Sequence, residues 1–124
     1  MGLVRVEMEV SRDGEPRQSV EFLVDSGAVY SVLPQRVWRA LKLKPQRSLQ
    51  FSLADGTPIR RGVSECRFSY QGLEATSPVV LGERNDEALL GSVTLETLGL
   101  VLNPFDRTLK PMRMILAGVR RRHP

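Results

Sequence analysis

Cysteine and histidine are almost absent from this sequence of 124 residues, which has one of each, Cys66 and His123. A single cysteine excludes an intramolecular disulfide. One residue of each type does not favour a Cys/His metal site or a Cys–His nucleophile pair. We therefore expect no metal ion and no other cofactor, and we interpret Cys66 as a small residue within a strand.

Long apolar runs are missing as well. The longest ones extend over only a few residues, and the N-terminal stretch Met1–Glu7 alternates apolar and charged side chains instead of forming the continuous apolar run of a signal peptide. With 41% hydrophobic and 26% charged residues, the composition is typical of a soluble globular chain. We expect no membrane span and a cytoplasmic location.

Length and charge distribution predict one domain with a basic end. A chain of 124 residues has the usual size of one domain, so we assign residues 1–118 to it and residues 119–124 to a C-terminal tail. The formal net charge is +4, and four arginines fall in the last dozen residues: Arg113, Arg120, Arg121 and Arg122. Such a tail is either a solvated chain end or an electrostatic contact for nucleic acid or an acidic partner. We favour the solvated end.

The hydrophobic pattern predicts a mainly β domain with two short helices. Apolar residues alternate on both sides of the polar cluster Ser11–Pro16, which is typical of a hairpin, and a second hairpin has arms 48–53 and 59–70 around the turn Ala54–Thr57. One helix follows Pro34, and the other is one that Ser92 can cap and Gly99 can end. The other predicted strands are residues 30–33, 73–81, 100–102 and 107–112, with Ile115 and Leu116 continuing the last one past Pro111.

One segment carries a chemical signal, Phe22-Leu23-Val24-Asp25-Ser26-Gly27-Ala28. An apolar strand leads into a tight turn and places the carboxylate of Asp25 where water and substrate can reach it. The alternative is a structural Asx turn, in which the carboxylate only caps local amides. The segment occurs once, so chemistry that needs two carboxylates requires a second copy of the chain. Other aspartates in polar clusters are better explained by turn formation: Asp13, Asp55, Asp86 and Asp106.

Three features occur in one order along the chain: the Asp-Ser-Gly-Ala turn with its apolar lead-in, a glycine-containing hairpin near the middle, and a late Leu89-Leu90-Gly91 segment before a short helix. Together they resemble the retropepsin-like aspartic proteases of clan AA, and within these the single-domain bacterial and archaeal members. The similarity extends over nearly the whole chain. It implies an all-β fold, closed in the manner of a β-barrel, that is active as a homodimer.

The resemblance also implies a role for each matching residue. Asp25 is the catalytic residue, and the rest of its turn holds and positions it. Ser26 reaches across the interface to the partner's turn, while the small Gly27 and Ala28 allow the two turns to approach closely. Ser92 stands where viral members often have Arg or Asn, which braces their dimer, so other contacts are expected here. The resemblance implies a flap at Ala54, Asp55, Gly56 and Thr57, and a segment crossing under the Asp turn at Leu89, Leu90 and Gly91.

The function implied is that of an aspartic endopeptidase acting on peptide or protein substrates. Two Asp25 side chains that face each other cannot both ionise easily, so one proton is shared and a water molecule is activated without a metal. The alternative is a retropepsin-like dimerisation or peptide-binding module with little turnover. Arg60 and Arg61, which follow the hairpin turn, either favour acidic substrate residues or simply keep the hairpin soluble.

Overall fold

The structure is a computed structural model and describes residues 3–120. Within this range it has nine strands and two short helices, which confirms the prediction of a mainly β chain. The elements are β1 (Arg5–Ser11), β2 (Arg17–Val24), β3 (Ser31–Leu33), α1 (Gln35–Ala40), β4 (Arg47–Ser52), β5 (Pro58–Tyr70), β6 (Leu73–Leu81), β7 (Leu89–Leu90), α2 (Ser92–Leu98), β8 (Leu100–Asn103) and β9 (Thr108–Pro111).

Seven of the strands form one sheet that curves back on itself. Their order is β1-β2-β7-β3-β6-β5-β4, and β1 also pairs with β5. This extra pairing closes a ring of six strands and leaves β4 at its edge, as expected for a closed, barrel-like sheet. β8 and β9 form a separate two-stranded sheet.

The core lies inside the ring because inward and outward side chains alternate along the strands. In the β1–β2 hairpin, Met8 and Val20 face each other across the ladder and are both buried. Phe22 on β2 packs against Phe68 on β5, with ring centroids 5.7 Å apart. Cys66 is a buried residue of β5, and its burial raises the pKa of the thiol to about 12. The interpretation of Cys66 as a strand residue is therefore confirmed.

The start of α2 differs from the prediction. Gly91 occupies the N-cap position and Ser92 is the first helical residue, whose hydroxyl makes no capping hydrogen bond. The reason is tertiary: the N–H groups of Ser92 and Val93 donate to the carbonyl oxygens of Ala28 and Val29, at 2.8 and 3.0 Å. Backbone from another part of the chain thus satisfies the first amides of the helix.

The end of the last strand also differs from the prediction. β9 ends at Pro111, and Ile115 and Leu116 are 80% and 78% exposed outside any strand. Pro111 pairs with Leu100, the first residue of β8. The residue before Leu100 ends α2, so no further strand remains for the chain to pair with.

Most of the predicted C-terminal tail, residues 119–124, lies outside the described part of the chain. The basic residues Arg121 and Arg122 and the lone His123 lie outside the described residues. No helix among residues 3–120 has the length and apolar character needed to cross a bilayer.

Three buried hydroxyl groups connect β3, β6 and α2. Ser31, Ser77 and Thr94 are at most 1% exposed, and Thr94 Oγ1 lies 2.5 Å from Ser31 Oγ and 2.8 Å from Ser77 Oγ. One direction satisfies every group: Gly91 N–H donates to Ser31, Ser31 to Thr94, Thr94 to Ser77, and Ser77 to the carbonyl of Pro78. The chain of hydrogen bonds fixes α2 against the sheet without an unpaired polar atom.

We predict that Thr94→Val destabilises the protein by about 1–3 kcal/mol, because Ser31 loses its acceptor and Ser77 its donor inside the core. The matched control is Thr97→Val on the exposed side of the same helix, which should stay within about 0.5 kcal/mol. Urea denaturation of both variants measures the difference, and equal midpoints would contradict the role of the hydroxyl chain.

Candidate active site

Asp25 lies at the end of β2, where the chain leaves the sheet. Its backbone N–H donates to the carbonyl of Leu90 at 3.0 Å, so the start of the turn is still fixed by β7. Its side-chain Oδ1 accepts the N–H of Gly27 at 3.0 Å, and its carbonyl accepts the N–H of Ala28 at 3.1 Å. Oδ2 has no hydrogen bond to residues 3–120, and the side chain is exposed.

The contact with Gly27 is the one expected of an Asx turn, so the local geometry is common to both interpretations of Asp25. In either interpretation the turn leaves Oδ2 of Asp25 free for another group. Gly27 also allows the contact, since a Cβ built there would lie 3.3 Å from Oδ1. The turn therefore holds the carboxylate by one oxygen and presents the other.

The segment Leu89-Leu90-Gly91 passes directly under this turn. β7 lies between β2, to which it is parallel, and β3, to which it is antiparallel. A Cβ added to Gly91 would lie 2.6 Å from the carbonyl carbon of Tyr30 and 2.8 Å from the carbonyl oxygen of Val29. Only a glycine fits this crossing, which explains why the segment ends on one.

A cleft of about 620 Å³ opens beside Asp25. The residues after Asp25, the β4–β5 hairpin and the loop of residues 82–88, which we name the wall loop, all contribute to its lining. Much of the lining is apolar: Val32, Phe51, Ile59, Val80 and Leu89. Its charged residues are Asp25, Arg61, Asp86 and Glu87. An exposed carboxylate next to an apolar cleft suits an extended peptide whose backbone must come close to that carboxylate.

The hairpin turn forms as the sequence predicts. Gly56 has a φ of +87°, and its N–H donates to the carbonyl of Leu53 at 2.9 Å. Hydrogen bonds from the side chain and the backbone N–H of Thr57 lower the pKa of Asp55, which fits its assignment to turn formation. Of the four predicted flap residues, Ala54 lines the cleft, whereas Asp55, Gly56 and Thr57 do not.

The β4 arm of the hairpin is attached to the residues after Asp25 by an aromatic pair. The rings of Tyr30 and Phe51 are 6.2 Å apart and meet edge to face at 89°. Such pairs contribute about 0.5–1.5 kcal/mol beyond the area they bury. This contact has no signal in the sequence, because the two residues are 21 positions apart and belong to different elements.

The β5 arm is attached to the wall loop by an ion pair. Arg61 Nε donates to Asp86 Oδ2 at 2.9 Å, and Arg61 Nη1 lies 3.0 Å from Glu83 Oε1. Arg61 is thus engaged by the protein itself, which fits neither of the two roles considered for it. The assignment of Asp86 to turn formation is right but incomplete, since Oδ2 accepts both the N–H of Glu83 and that of Arg61.

Residues 3–120 contain no group of three or more His, Cys, Asp or Glu side chains placed to hold a metal ion.

Comparison with protein-family models matches residues 9–97 to the family described as "gag-polyprotein putative aspartyl protease", which is more than half of the chain. No curated protein matches the sequence. Among solved structures the chain is similar to the EIAV protease complexed with the inhibitor HBY-793, with a TM-score of 0.62 and 16% identity over 93% of this chain and 94% of that chain.

Two further structures show the same architecture. The simian foamy virus (mac) protease has a TM-score of 0.54 and 20% identity, over 74% of this chain and 91% of that one. The prototype foamy virus protease–reverse transcriptase has a TM-score of 0.53 and 15% identity, over 92% of this chain and 12% of that one.

The mainly β ring with its two short helices is therefore the retropepsin fold. The chain itself belongs to the retropepsin-like aspartic protease family. Both conclusions confirm the resemblance to this family, while the narrower likeness to its single-domain bacterial and archaeal members stays a prediction.

We predict that Gly91→Ala lowers stability far more than Gly14→Ala. A Cβ at position 91 would overlap the backbone of Tyr30, which cannot move without shifting the Asp25 turn, whereas Gly14 (φ +122°) has no atom within 4 Å of the added Cβ. Gly14→Ala should therefore cost only the backbone strain of a side chain at positive φ, about 1–3 kcal/mol. Thermal unfolding compares the two variants, and a similar loss in both would contradict the close crossing.

Proposed function

We propose that the protein is an aspartic endopeptidase that works as a homodimer, with Asp25 of each copy forming one catalytic pair. The observation that carries this proposal is the state of the Asp25 carboxylate. One of its oxygens is held by Gly27, the other is free, and the group borders an apolar cleft in a chain of the aspartic protease family.

The proposed chemistry follows from two carboxylates brought face to face. Repulsion between like charges keeps both from ionising, so the pair retains one proton. The ionised carboxylate removes a proton from the attacking water, while the protonated one donates a hydrogen bond to the scissile carbonyl oxygen. The proton positions exchange when the tetrahedral intermediate breaks down and the leaving nitrogen is protonated. Peptide hydrolysis in this form needs neither a metal nor a covalent intermediate.

The residues around Asp25 have supporting roles in this proposal. Gly27 supplies the N–H that orients the carboxylate, and Ala28 keeps the turn small where the partner turn approaches. The exposed tip of the hairpin, Ala54–Thr57, covers the bound peptide, excludes water and pairs with the peptide backbone as an added strand. Leu89, Leu90 and Gly91 support the turn through the bond from Asp25 N–H to the Leu90 carbonyl.

The second candidate is a peptide-binding or dimerisation module with little turnover. The contact between Asp25 and Gly27 favours it to the extent that an Asx turn would make the same hydrogen bond. Both candidates use the cleft, so cleavage is the property that separates them.

We predict that Asp25→Asn lowers peptide cleavage by about 10²–10⁴-fold, the contribution typical of acid–base catalysis by a positioned group. The assay is cleavage of a peptide library from pH ~3 to ~8, a range that covers shifted carboxyl groups. The matched control is Asp106→Asn, which changes an aspartate that caps a turn in the β8–β9 sheet, away from the cleft.

The outcomes of this assay separate the endopeptidase from the binding module and from a contaminating protease. Cleavage by wild type and Asp106→Asn but not by Asp25→Asn, with the dimer intact, supports the proposal. Equal cleavage by all three proteins indicates a contaminating protease. Absence of cleavage by every protein under all conditions favours the binding module, and activity of a stable monomer contradicts the paired mechanism.

We also predict that Ser26→Thr tightens the dimer. The added methyl group restricts the rotamers of the side chain that, in this proposal, reaches across to the partner's turn. Sedimentation equilibrium measures the dissociation constant, and an unchanged value would show that this hydroxyl does not brace the dimer.

A further inference from the structure

Asp86 joins two of the elements that line the cleft through hydrogen bonds from both sides, whereas its neighbour in the wall loop, Glu83, contributes one further ion pair to Arg61. Its Oδ2 accepts the N–H of Glu83 at 2.8 Å, which closes the turn of the loop, and the Nε–H of Arg61 at 2.9 Å. Its Oδ1 lies 3.5 Å from the second terminal nitrogen of Arg61. One carboxylate thus joins the loop to the β5 arm of the hairpin.

Arg61 is well placed for such a connection. Its side chain is only 16% exposed, and Nη1 donates to the carbonyl of Arg60 at 2.9 Å and lies 3.0 Å from Glu83 Oε1. With Nε and Nη2 directed at Asp86, the guanidinium is occupied by the protein. It therefore fixes the geometry of the cleft and leaves recognition of an acidic substrate group to other residues.

Apart from the contacts of Asp86 and the ion pair of Glu83 with Arg61, the hydrogen bonds of the wall loop to the rest of the described residues lie near its two ends. Gly82 donates to the carbonyl of Leu33 at 2.9 Å and accepts the indole N–H of Trp38 at 2.8 Å. At the other end, the carbonyl of Ala88 accepts the N–H of Leu23 at 3.0 Å. The residues between these points, 83–87, are mostly exposed and polar, and the contacts of Asp86 hold their turn in place.

We propose that Asp86 is a positioning residue for the cleft: through Arg61 it holds the wall loop against the β5 arm and so sets the width of the cleft for the peptide. This inference rests on the proposed function, because it takes the cleft as the peptide-binding site. It adds a residue that touches neither Asp25 nor the scissile bond. Loss of Asp86 should weaken peptide binding and leave the chemical step nearly unchanged.

The test compares Asp86→Asn, Arg61→Gln, the double variant and the control Asp106→Asn. Asn keeps an acceptor for the N–H of Glu83 but removes the charge that pairs with Arg61. We expect KM to rise about 10-fold or more, because a hydrogen bond to a charged group typically contributes a factor of that size. We expect kcat to stay within about twofold. The double variant should be no worse than Arg61→Gln, because that variant already removes the contact with Asp86 together with the one to Glu83. The control aspartate also caps a turn and pairs with Lys110, but lies outside the cleft.

The dependence of KM on pH distinguishes loss of the Asp86–Arg61 contact from a general loss of stability. Burial raises the pKa of Asp86, but the hydrogen bonds from Arg61 and from the N–H of Glu83 outweigh it and lower the pKa overall. The contact is therefore complete above the ordinary Asp range and is lost only as the pH falls through the lowered pKa. Wild-type KM should rise at this acid end and that of Asp86→Asn should not. Besides Arg61 and Glu83, the charged groups that line a cleft together with Asp86 are Asp25, Arg5, Glu21, Arg36, Arg84 and Glu87.

Hydrogen–deuterium exchange provides a measurement that does not need activity. Exchange should accelerate at residues 83–88 in Asp86→Asn and Arg61→Gln and stay unchanged in Asp106→Asn. If wild type cleaves no peptide, the proposed function fails while exchange still decides whether Asp86 holds the loop. Unchanged exchange in both variants, or unchanged KM in an active enzyme, would overturn the inference. If Asp86→Asn does not fold, comparison of Arg61→Gln with Glu83→Gln gives the decision, since Arg61→Gln breaks both ion pairs and Glu83→Gln breaks only the one that does not involve Asp86.

Discussion

The close passage of Gly91 beneath residues 25–30 is the constraint on which the rest of the site depends. Glycine has no Cβ that would overlap the backbone of Val29 and Tyr30, and β7 can therefore lie between β2 and β3 and bond to both, although it is only two residues long. The same crossing brings the first amides of α2 onto the carbonyls of Ala28 and Val29. The turn that presents Asp25 is thus supported from below by strand and helix together, and its position does not depend on its own few residues.

Beside this base, two side-chain contacts attach the arms of the hairpin to other parts of the cleft. The Tyr30–Phe51 ring pair attaches one arm of the hairpin, and the Arg61–Asp86 ion pair attaches the other. The hairpin turn beyond them, Ala54–Thr57, is exposed and makes its hydrogen bonds within itself. This arrangement combines a carboxylate held by its turn, two attached arms and an exposed tip, and it is compatible with the proposed binding of an extended peptide.

Much of the fold follows from local pattern. Alternating apolar residues predicted the hairpins, the Asp-Gly turn was placed correctly, and Gly99 does end α2 in a left-handed conformation. The errors occur where distant backbone intervenes. Ser92 is a good capping residue by composition, but carbonyls from the Asp25 turn already satisfy the helix amides. Ile115 and Leu116 have strand-like character, but β8 offers no residue for them to pair with.

The sequence by itself predicted every strand except β7, both helices and the residue that the proposed chemistry uses, because these depend on short-range pattern, and it indicated the family through a resemblance. The tertiary structure alone decided how the cleft is held. Arg61 and Asp86 are 25 positions apart in loop and strand contexts that look like ordinary solvated charge, and their pairing appears only when β5 and the wall loop meet. The hydroxyl chain through Ser31, Thr94 and Ser77 is hidden for the same reason. Hydrogen bonds between side chains depend on distances that a linear pattern does not contain.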